Sequence, residues 1–571
     1  MIKLTADDAK EVSEDTVTAA LHHSPLINHL LQRRGITTPE DAERFLKPNY
    51  DEHIHDPFLM LGMKEAVERV LQAIDNNEKV LIYSDFDADG IPGAVVLHDF
   101  FKEIGFENFT NYIPHRHDEG FGVHLDAIDQ FEKDGVQLLI TIDCGIADVD
   151  EVARAREHGI DVIITDHHEP NGKEPDTVAT LDPKQKKCNY PFKELCGSGV
   201  IFKLVQGVLA TRNFGVTEGR EKWYLDMVGL ATLSDMVPLV GENRVFASYG
   251  LKVLQRSRRP GLQKMIRVLK MNQQHLSEDD IGFMISPRIN AASRMGVPMD
   301  AFTFLSTRDQ SVADSAVKHL NEINDERKGV VASMAKAIKQ KLKKNNSNGA
   351  KEVIVAGDPE WKPSLLGLAA NALAEEYDRP VFLWGRDGRE ALKGSARSNG
   401  RVDLVKVMEK ARSVLDAYGG HQQAGGFAVS HEKIHMLEDA LIDAAKAVGE
   451  EELNPATELI DTDLTLDDVT DEVYSELSQL APFGVGNAKP TFRFPNIIIR
   501  RVRSFGKQNN HLELVFHTST GREVKAIGFF ASADDYSANI RKDQPVTLIA
   551  SMERSYFRGR PELRLRIVDI Q

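Results

Sequence analysis

The chain of 571 residues is longer than one hydrophobic core supports and calls for roughly three or four domains. Its net charge of -17 gives no global attraction to nucleic acid, so any such binding must come from a local basic groove acting within a Debye length of about 8 Å. Three cysteines, Cys144, Cys188 and Cys196, without C-x-x-C spacing, support neither a disulfide framework nor a structural zinc site.

The opening MIKLTADDAK has no apolar segment of the kind that leads a secreted chain, and no apolar run reaches the roughly 18 residues of a membrane span. A cytoplasmic location is expected. In GITTPEDAERFLKP, Thr38 suits a helix cap, Pro39 the first turn and Pro48 the position past the end, so residues 1–50 read as a helical segment. The runs KVLIYS (79–84), QLLITI (137–142) and DVIIT (161–165) alternate with helix-like stretches. This pattern predicts a parallel sheet covered by helices on both faces, within a domain spanning 51–308 and mostly helical from 199 to 285.

Residues 311–344 contain no proline and show apolar positions at helical spacing. They read as a connecting helix within 309–349, roughly 50 Å long at 1.5 Å per residue, with a two-helix turn at Gly329 as the alternative. A second α/β unit covers 350–448, opening on KEVIVAG and RPVFLWG. An acidic connector and a β-rich end fill 449–571, where five strands would suit a small OB-like barrel.

Each strand of the first α/β unit is followed by acids or imidazoles. YSDFDADG supplies Asp85, Asp87 and Asp89, TIDCG supplies Asp143, and TDHHEP supplies Asp166, His167 and His168. In a parallel sheet these carboxyl ends converge, and clustered carboxylates repel unless cations neutralise them. Oxygen donors with one or two imidazoles suit Mn²⁺ or Mg²⁺, and two such ions about 4 Å apart favour hydrolysis of a phosphate ester or anhydride. DxDxDG also resembles a calcium loop, but Val96 stands at its twelfth position in place of glutamate. His168 would contact a phosphate oxygen or supply a proton, unless it is simply an exposed neighbour of His167. GGHQQAGG, around His421, reads either as an anion-binding nest of backbone amides or as a tight structural turn. In the terminal β region Phe505, Tyr556 and Phe557 would stack bases while Arg501, Arg503, Arg558 and Arg560 track phosphates, the alternative being ordinary strand alternation.

DFDADG, TIDCG and DHH, in this order, resemble the DHH phosphoesterase superfamily, and GGHQQAGGF (419–427) resembles its DHHA1 partner domain. GITTPEDAERFLKP, HDPFLMLGMKEAVERV, LSDMVPL, SPRINAASRMG, GSARS and PFGVGNAKPTF are similar to its single-strand-specific 5′ exonucleases across nearly the whole chain. The resemblance implies a fold of three parts: a parallel-sheet DHH domain, a DHHA1 domain reached by the long helix, and a C-terminal OB-like barrel. It implies a two-metal exonuclease that takes single-stranded DNA from its 5′ end and releases 5′ mononucleotides in recombination and repair. Asp87, Asp89, Asp143, His167 and Asp235 would be the ligands, with His168 beside them and Asp85, Asp166 and Asp182 as orienting groups. Arg116, Arg288, Ser395 and Arg397 would hold the substrate and its 5′ phosphate, joined by Arg294. His421 would take part in substrate binding. A monomer is expected, with a single-strand-binding protein and a helicase as partners. Lys362, in EWKPSLLG, stands where related sequences usually carry histidine, and Ala292-Ser293 where glycine is common before the arginine. An oligonucleotide or cyclic-dinucleotide phosphodiesterase would have little use for the terminal β region, and a non-catalytic DNA-binding scaffold would lack acids that are all present here.

Overall fold

The computed structural model describes residues 24–170, 172–344, 352–388, 390–449, 460–506, 509–556 and 561–571. Strands β1 (Val80–Ser84), β2 (Phe109–Tyr112), β3 (Leu138–Ile142), β4 (Asp161–Thr165) and β5 (Ala179–Leu181) form one sheet in the order β2-β1-β3-β4-β5, every pairing parallel. Successive side chains point to opposite faces. Val80, Ile82, Leu138, Ile140 and Ile163 therefore enter one core, while Leu81, Tyr83, Leu139, Val162 and Ile164 enter another. Burial on both faces is why these strands read as unbroken apolar runs. The strand order reverses between β1 and β3, and a crevice opens outside the carboxyl ends there.

Helices Gly197–Thr211 and Leu225–Ser234 pack on this sheet's larger core. The helix Gln310–Lys344 runs unbroken through Gly329, so the single-helix alternative is the one formed. Its Val317, Leu320 and Ile323 join the first domain's core, while Met334 and Ile338 pack with Leu365, Leu366 and Leu373 of the second α/β unit. It is thus a strut with one end embedded in each.

The second sheet comprises β6 (Ile354–Gly357), β7 (Val381–Arg386), β8 (Leu392–Arg397), β9 (Ala417–His421) and β10 (Ala424–Val429), ordered β6-β7-β8-β10-β9. Only β6 and β7 are parallel among its pairs. GGHQQAGG forms the hairpin of β9 and β10, in which Gly420 pairs with Gly425 and His421 with Ala424. A Cβ at Gly420 would lie 2.3 Å from the Ala424 carbonyl oxygen, so this glycine permits the close strand pairing of the hairpin.

The C-terminal sheet has seven strands instead of five: β11 (Thr462–Asp463), β12 (Phe492–Ile498), β13 (Arg501–Phe505), β14 (His511–His517), β15 (Glu523–Phe529), β16 (Pro545–Ser555) and β17 (Glu562–Ile570). TFRFPNIIIRRVRSFG divides into β12 and β13 at Ile499-Arg500, and the connector adds the short β11. Thr38 Oγ1 accepts from the Asp41 amide at 3.1 Å and Pro39 opens its helix. The N-terminal helices have no core of their own. Their Ile27, Leu30, Leu31 and Phe45 are buried with Phe492, Leu514, Leu548 and Leu565 of the C-terminal sheet. Among the described residues no helix is long and apolar enough to cross a membrane.

Candidate active site

Two strand ends and one helix end deliver the acids, and a third strand end, that of β4, delivers His167. After β1 the chain turns through Asp85, Asp87 and Asp89 into the helix Gly90–Glu103. Asp143 follows β3 in the left-handed region at φ 63°, and its amide is held by the Thr165 carbonyl of the neighbouring strand at 2.8 Å. Asp235 ends the helix Leu225–Ser234.

His167 Nε2 lies 3.1 Å from Asp143 Oδ1, 3.8 Å from Asp89 Oδ2 and 3.8 Å from Asp235 Oδ2. Three donor groups result, each with ligand atoms within 4.8 Å of one another: Asp89, His167 and Asp235; Asp85, Asp87 and Asp143; and Asp143, His167 and His168. The third shares Asp143 with one and His167 with the other, and so joins them. All five residues expected as ligands are therefore brought together, and Asp85 stands with them.

Physical chemistry tests whether a metal fits. Buried carboxylate oxygens of Asp85, Asp143 and Asp235 have no hydrogen-bond partner. Burial, then repulsion from Asp89 and Asp87, pushes the Asp235 carboxyl up to about 8. Burial and neighbouring aspartates likewise raise Asp85, Asp87 and Asp143. Orphaned, mutually repelling acids are costly without cations, and divalent ions with oxygen and imidazole donors satisfy them. The donor set fits Mn²⁺ or Mg²⁺.

Asp89 is aimed by a helix end. Gly197 N donates to its Oδ2 at 2.6 Å, Ser198 N to its Oδ1 at 2.8 Å, and Ser198 Oγ to its carbonyl at 2.6 Å. Asp166 has a different part. Its carboxylate accepts from the amides of Ile146, His167 and His168 and pairs with His168 Nδ1 at 2.8 Å. It fixes the turn that carries both histidines. Burial opposes the charged form of His168, but Asp166 outweighs it and holds the imidazole up at about 9. Half-exposed and cationic, His168 suits a phosphate contact. Asp182 is buried, pushed up to about 7 by that burial, and forms no part of these ligand groups.

Phe121 was not foreseen. Flanked by Gly120 and Gly122, it is 55% exposed and sets its ring edge-on to His168, 5.5 Å between centroids. The signal was an aromatic between two glycines in HDEGFGVH.

A basic wall faces the acids. Arg116 lies over the Phe86 ring at 4.7 Å, close enough to Asp85 and Asp87 to feel both charges. Arg294 donates to the Ser364 carbonyl across the interdomain cleft at 2.5 Å. Burial first, then Arg116 and Arg327, pushes Arg294 down to about 9, with Arg397 adding to the effect. Arg397 Nη1 donates to Ser395 Oγ at 3.1 Å. The cleft itself, about 320 Å³, runs from Arg116 and His117 to Ser364, Gly394 and Phe427. Guanidinium groups gathered this closely invite an anion. Arg327, whose buried Nε has no partner, was missed because a helix-borne arginine in NEINDERKG looks like a solvated charge. Arg288 is buried, its Nε donating to Asn321 and its Nη1 to the Met284 carbonyl, so it anchors its helix against the long strut. The next turn of SPRIN reaches the metal loop, as Asn290 Oδ1 accepts from the Ala88 amide at 3.0 Å. His421 is exposed at the end of β9. Lys362 is exposed beside the second helix bounding the cleft, and its charge reaches His117.

On the C-terminal sheet Phe505 packs with His511, which also meets Phe529 and Phe530, while Arg564 and Arg566 lie over Phe529. Tyr556 stacks on His275 of the first domain at 4.2 Å, occupying one of its faces. Arg501 and Arg503 flank Glu523 and Glu513. Phe557, Arg558 and Arg560 lie outside the described residues.

This fold and site define a DHH-domain protein: residues 79–232 match the DHH family N-terminal domain and 350–450 the DHHA1 domain. Residues 460–569 match the RecJ OB domain. The chain is 34% identical to the single-stranded-DNA-specific exonuclease RecJ of Bacillus subtilis, over 97% of this chain and 69% of that one. It is 28% identical to the Haemophilus influenzae enzyme of the same name, covering 96% of each. The fold is shared with RecJ of Thermus thermophilus in complex with Mn²⁺, at TM-score 0.77 and 24% identity over 98% of this chain and 77% of that one. An exonuclease RecJ bound to manganese matches at TM-score 0.59 and 28% identity, over 70% of this chain and 98% of that one. The chain belongs to the RecJ family.

Proposed function

We propose that this protein is a metal-dependent exonuclease that degrades single-stranded DNA from its 5′ end and releases 5′ mononucleotides in recombination and repair. The observation that carries this reading is a pair of joined ligand groups, meeting at Asp143 and His167, with Arg116 within electrostatic reach of Asp85 and Asp87 and lining a narrow cleft toward the second α/β unit. Relatives spanning nearly the whole chain are single-stranded-DNA-specific exonucleases, and a manganese-bound RecJ shares the fold. Asp87, Asp89, Asp143, His167 and Asp235 hold the ions, with Asp85 beside Asp87. Two divalent ions, when bound, supply charge stabilisation to both the attacking and leaving oxygens of a phosphoryl displacement. His168 contacts the scissile phosphate through the ring nitrogen that Asp166 leaves free. Arg116, Arg294, Ser395 and Arg397 hold the 5′ phosphate, with Arg288 supporting the helix that carries Arg294, and with His421 as a further substrate contact.

The domain division follows the same logic. Residues 51–308 cut, 350–448 hold the 5′ end, 309–349 space the two, and 449–571 guide the strand, with the N-terminal segment contributing its helices from 24 to 50, which are docked on the last. The protein acts in the cytoplasm as a monomer. A single-strand-specific enzyme needs a helicase to expose its substrate and meets that substrate coated by a single-strand-binding protein.

The test is digestion of 5′-labelled and 3′-labelled single-stranded DNA with Mn²⁺, with and without a 5′ phosphate. Mononucleotides released first from the 5′ end are expected, and Asp143→Ala is expected to abolish release while retaining strand binding. Full activity of Asp143→Ala would sink the assignment.

A further inference from the structure

Two unusual backbone features flank one cavity next to Asp235. Met236 adopts φ 62°, and residues Asp280–Ile285 form a π-helix, a rare element that favours functional sites. Together they push two large apolar side chains into the open, with Phe283 75% and Met236 69% exposed. Both line a cavity of about 370 Å³ whose far wall is Phe483, Gly484 and Val485 of the C-terminal region. Its walls are fixed. Leu239 N donates to the Val485 carbonyl at 2.8 Å, Ser234 Oγ meets Ser286 Oγ at 2.5 Å, and Lys489 pairs with Asp279 at 2.8 Å. Ser234 and Met236, the two neighbours of the proposed ligand Asp235, both line this cavity, which places it one residue to either side of the metal groups.

We infer that this cavity is a base-stacking subsite for the nucleotides on the 3′ side of the scissile phosphate, with Phe283 as its platform and Met236 as its opposing face. The inference rests on the exonuclease reading above and names residues that reading does not use. The arginine wall borders the cleft toward the second α/β unit, as Arg294 meets Ser364 there. A strand whose 5′ phosphate lies on that side leaves the metals on the other, toward the C-terminal region. On that side Met236 and Phe283 are exposed apolar groups that no other part of the proposed site uses, and a nucleobase offers the flat apolar faces that an exposed ring and a thioether accept. Stacking of this kind tolerates every base, as a nuclease without sequence preference requires.

The experiment compares wild type, Phe283→Ala, Phe283→Trp and Met236→Ala on a 5′-phosphorylated single-stranded DNA. Matched strands carry one abasic residue at each of the first four positions in turn. Phe283 is exposed, so its replacement leaves the fold intact, and Mn²⁺ binding by calorimetry should equal wild type. Phe283→Ala is expected to raise KM roughly five- to a hundred-fold with kcat little changed, the range of one lost base–aromatic stack. Phe283→Trp should restore KM. One abasic position should cost the wild type the same factor and cost Phe283→Ala nothing further. A wild-type KM in Phe283→Ala, or abasic penalties equal in both proteins at every position, overturns the subsite. Wild-type protein that fails to digest the strand in Mn²⁺ overturns the exonuclease reading and the subsite with it.

Discussion

Asp166 differs from the proposed ligands beside it in how its carboxylate is satisfied. It accepts three amides and one imidazole, so its oxygens are already satisfied by the protein. Asp166→Asn leaves one acceptor oxygen where four donors converge. The expected result is a ten- to hundred-fold loss of Mn²⁺ affinity or activity, the usual cost of an outer-shell partner, partly restored at higher Mn²⁺. A Mn²⁺ titration of initial rates checks this, and a loss that no Mn²⁺ concentration restores would make Asp166 a ligand. The acids at the strand ends were legible because each follows a β-branched run. Asp235 was not, because nothing local separates it from a helix-terminal acid, and only the resemblance of LSDMVPL pointed to it. Phe121 and Arg327 were illegible for a similar reason: an exposed aromatic or a helical arginine acquires meaning only from what the fold sets beside it.

At the level of elements, the helix Gly197–Thr211 begins against the metal loop, and its first residue has no room for a side chain. A Cβ at Gly197 would lie 2.6 Å from Asp143 Cβ and 2.8 Å from Asp143 Oδ1. Gly197→Ala must displace either Asp143 or the amide that holds Asp89. The expected outcome is Mn²⁺ affinity reduced at least about ten-fold, measured by calorimetry. Circular dichroism should show unchanged helix content, since alanine suits a helix better than glycine. Wild-type Mn²⁺ affinity would mean that the helix start relaxes. The parallel strands and the long helix were readable from their periods. The hairpin at GGHQQAGG was not, since repeated glycines signal close backbone approach without saying whether an anion or another strand approaches. The seven-stranded sheet was undercounted because β12 and β13 follow one another across two residues, with no glycine between them to mark the break.

Across the whole molecule, Arg244 is a fastening point. Its guanidinium lies over the Phe45 ring at 3.6 Å and donates to the carbonyls of Phe45, Leu480, Ala481 and Pro482. It links the N-terminal helices, the first domain and the C-terminal region, a junction that no local sequence window contains. Arg244→Ala orphans buried carbonyls and should destabilise this junction by about 3 kcal/mol. Scanning calorimetry is expected to show a separate, earlier transition for the C-terminal region, and a single unshifted transition would refute the role.

The long helix is embedded at one end in each α/β unit, so on the proposed reading it sets the distance between the walls that cut and hold the strand. Gly329 sits near its middle, exposed, with nothing within 4 Å of where a Cβ would stand. Gly329→Ala should therefore stabilise the helix by up to about 1 kcal/mol and leave digestion unchanged. Gly329→Pro removes an intrahelical hydrogen bond and kinks the strut, at a cost of about 3 kcal/mol. The proposed metal ligands all precede the helix, so Mn²⁺ binding by calorimetry should survive. The advantage of a 5′-phosphorylated strand over an unphosphorylated one should fall instead, because the arginine wall includes Ser395 and Arg397 from beyond the kink. If Gly329→Pro retains both Mn²⁺ binding and the 5′-phosphate preference, the strut does not set the spacing and contacts across the cleft, such as Arg294 with Ser364, must do so.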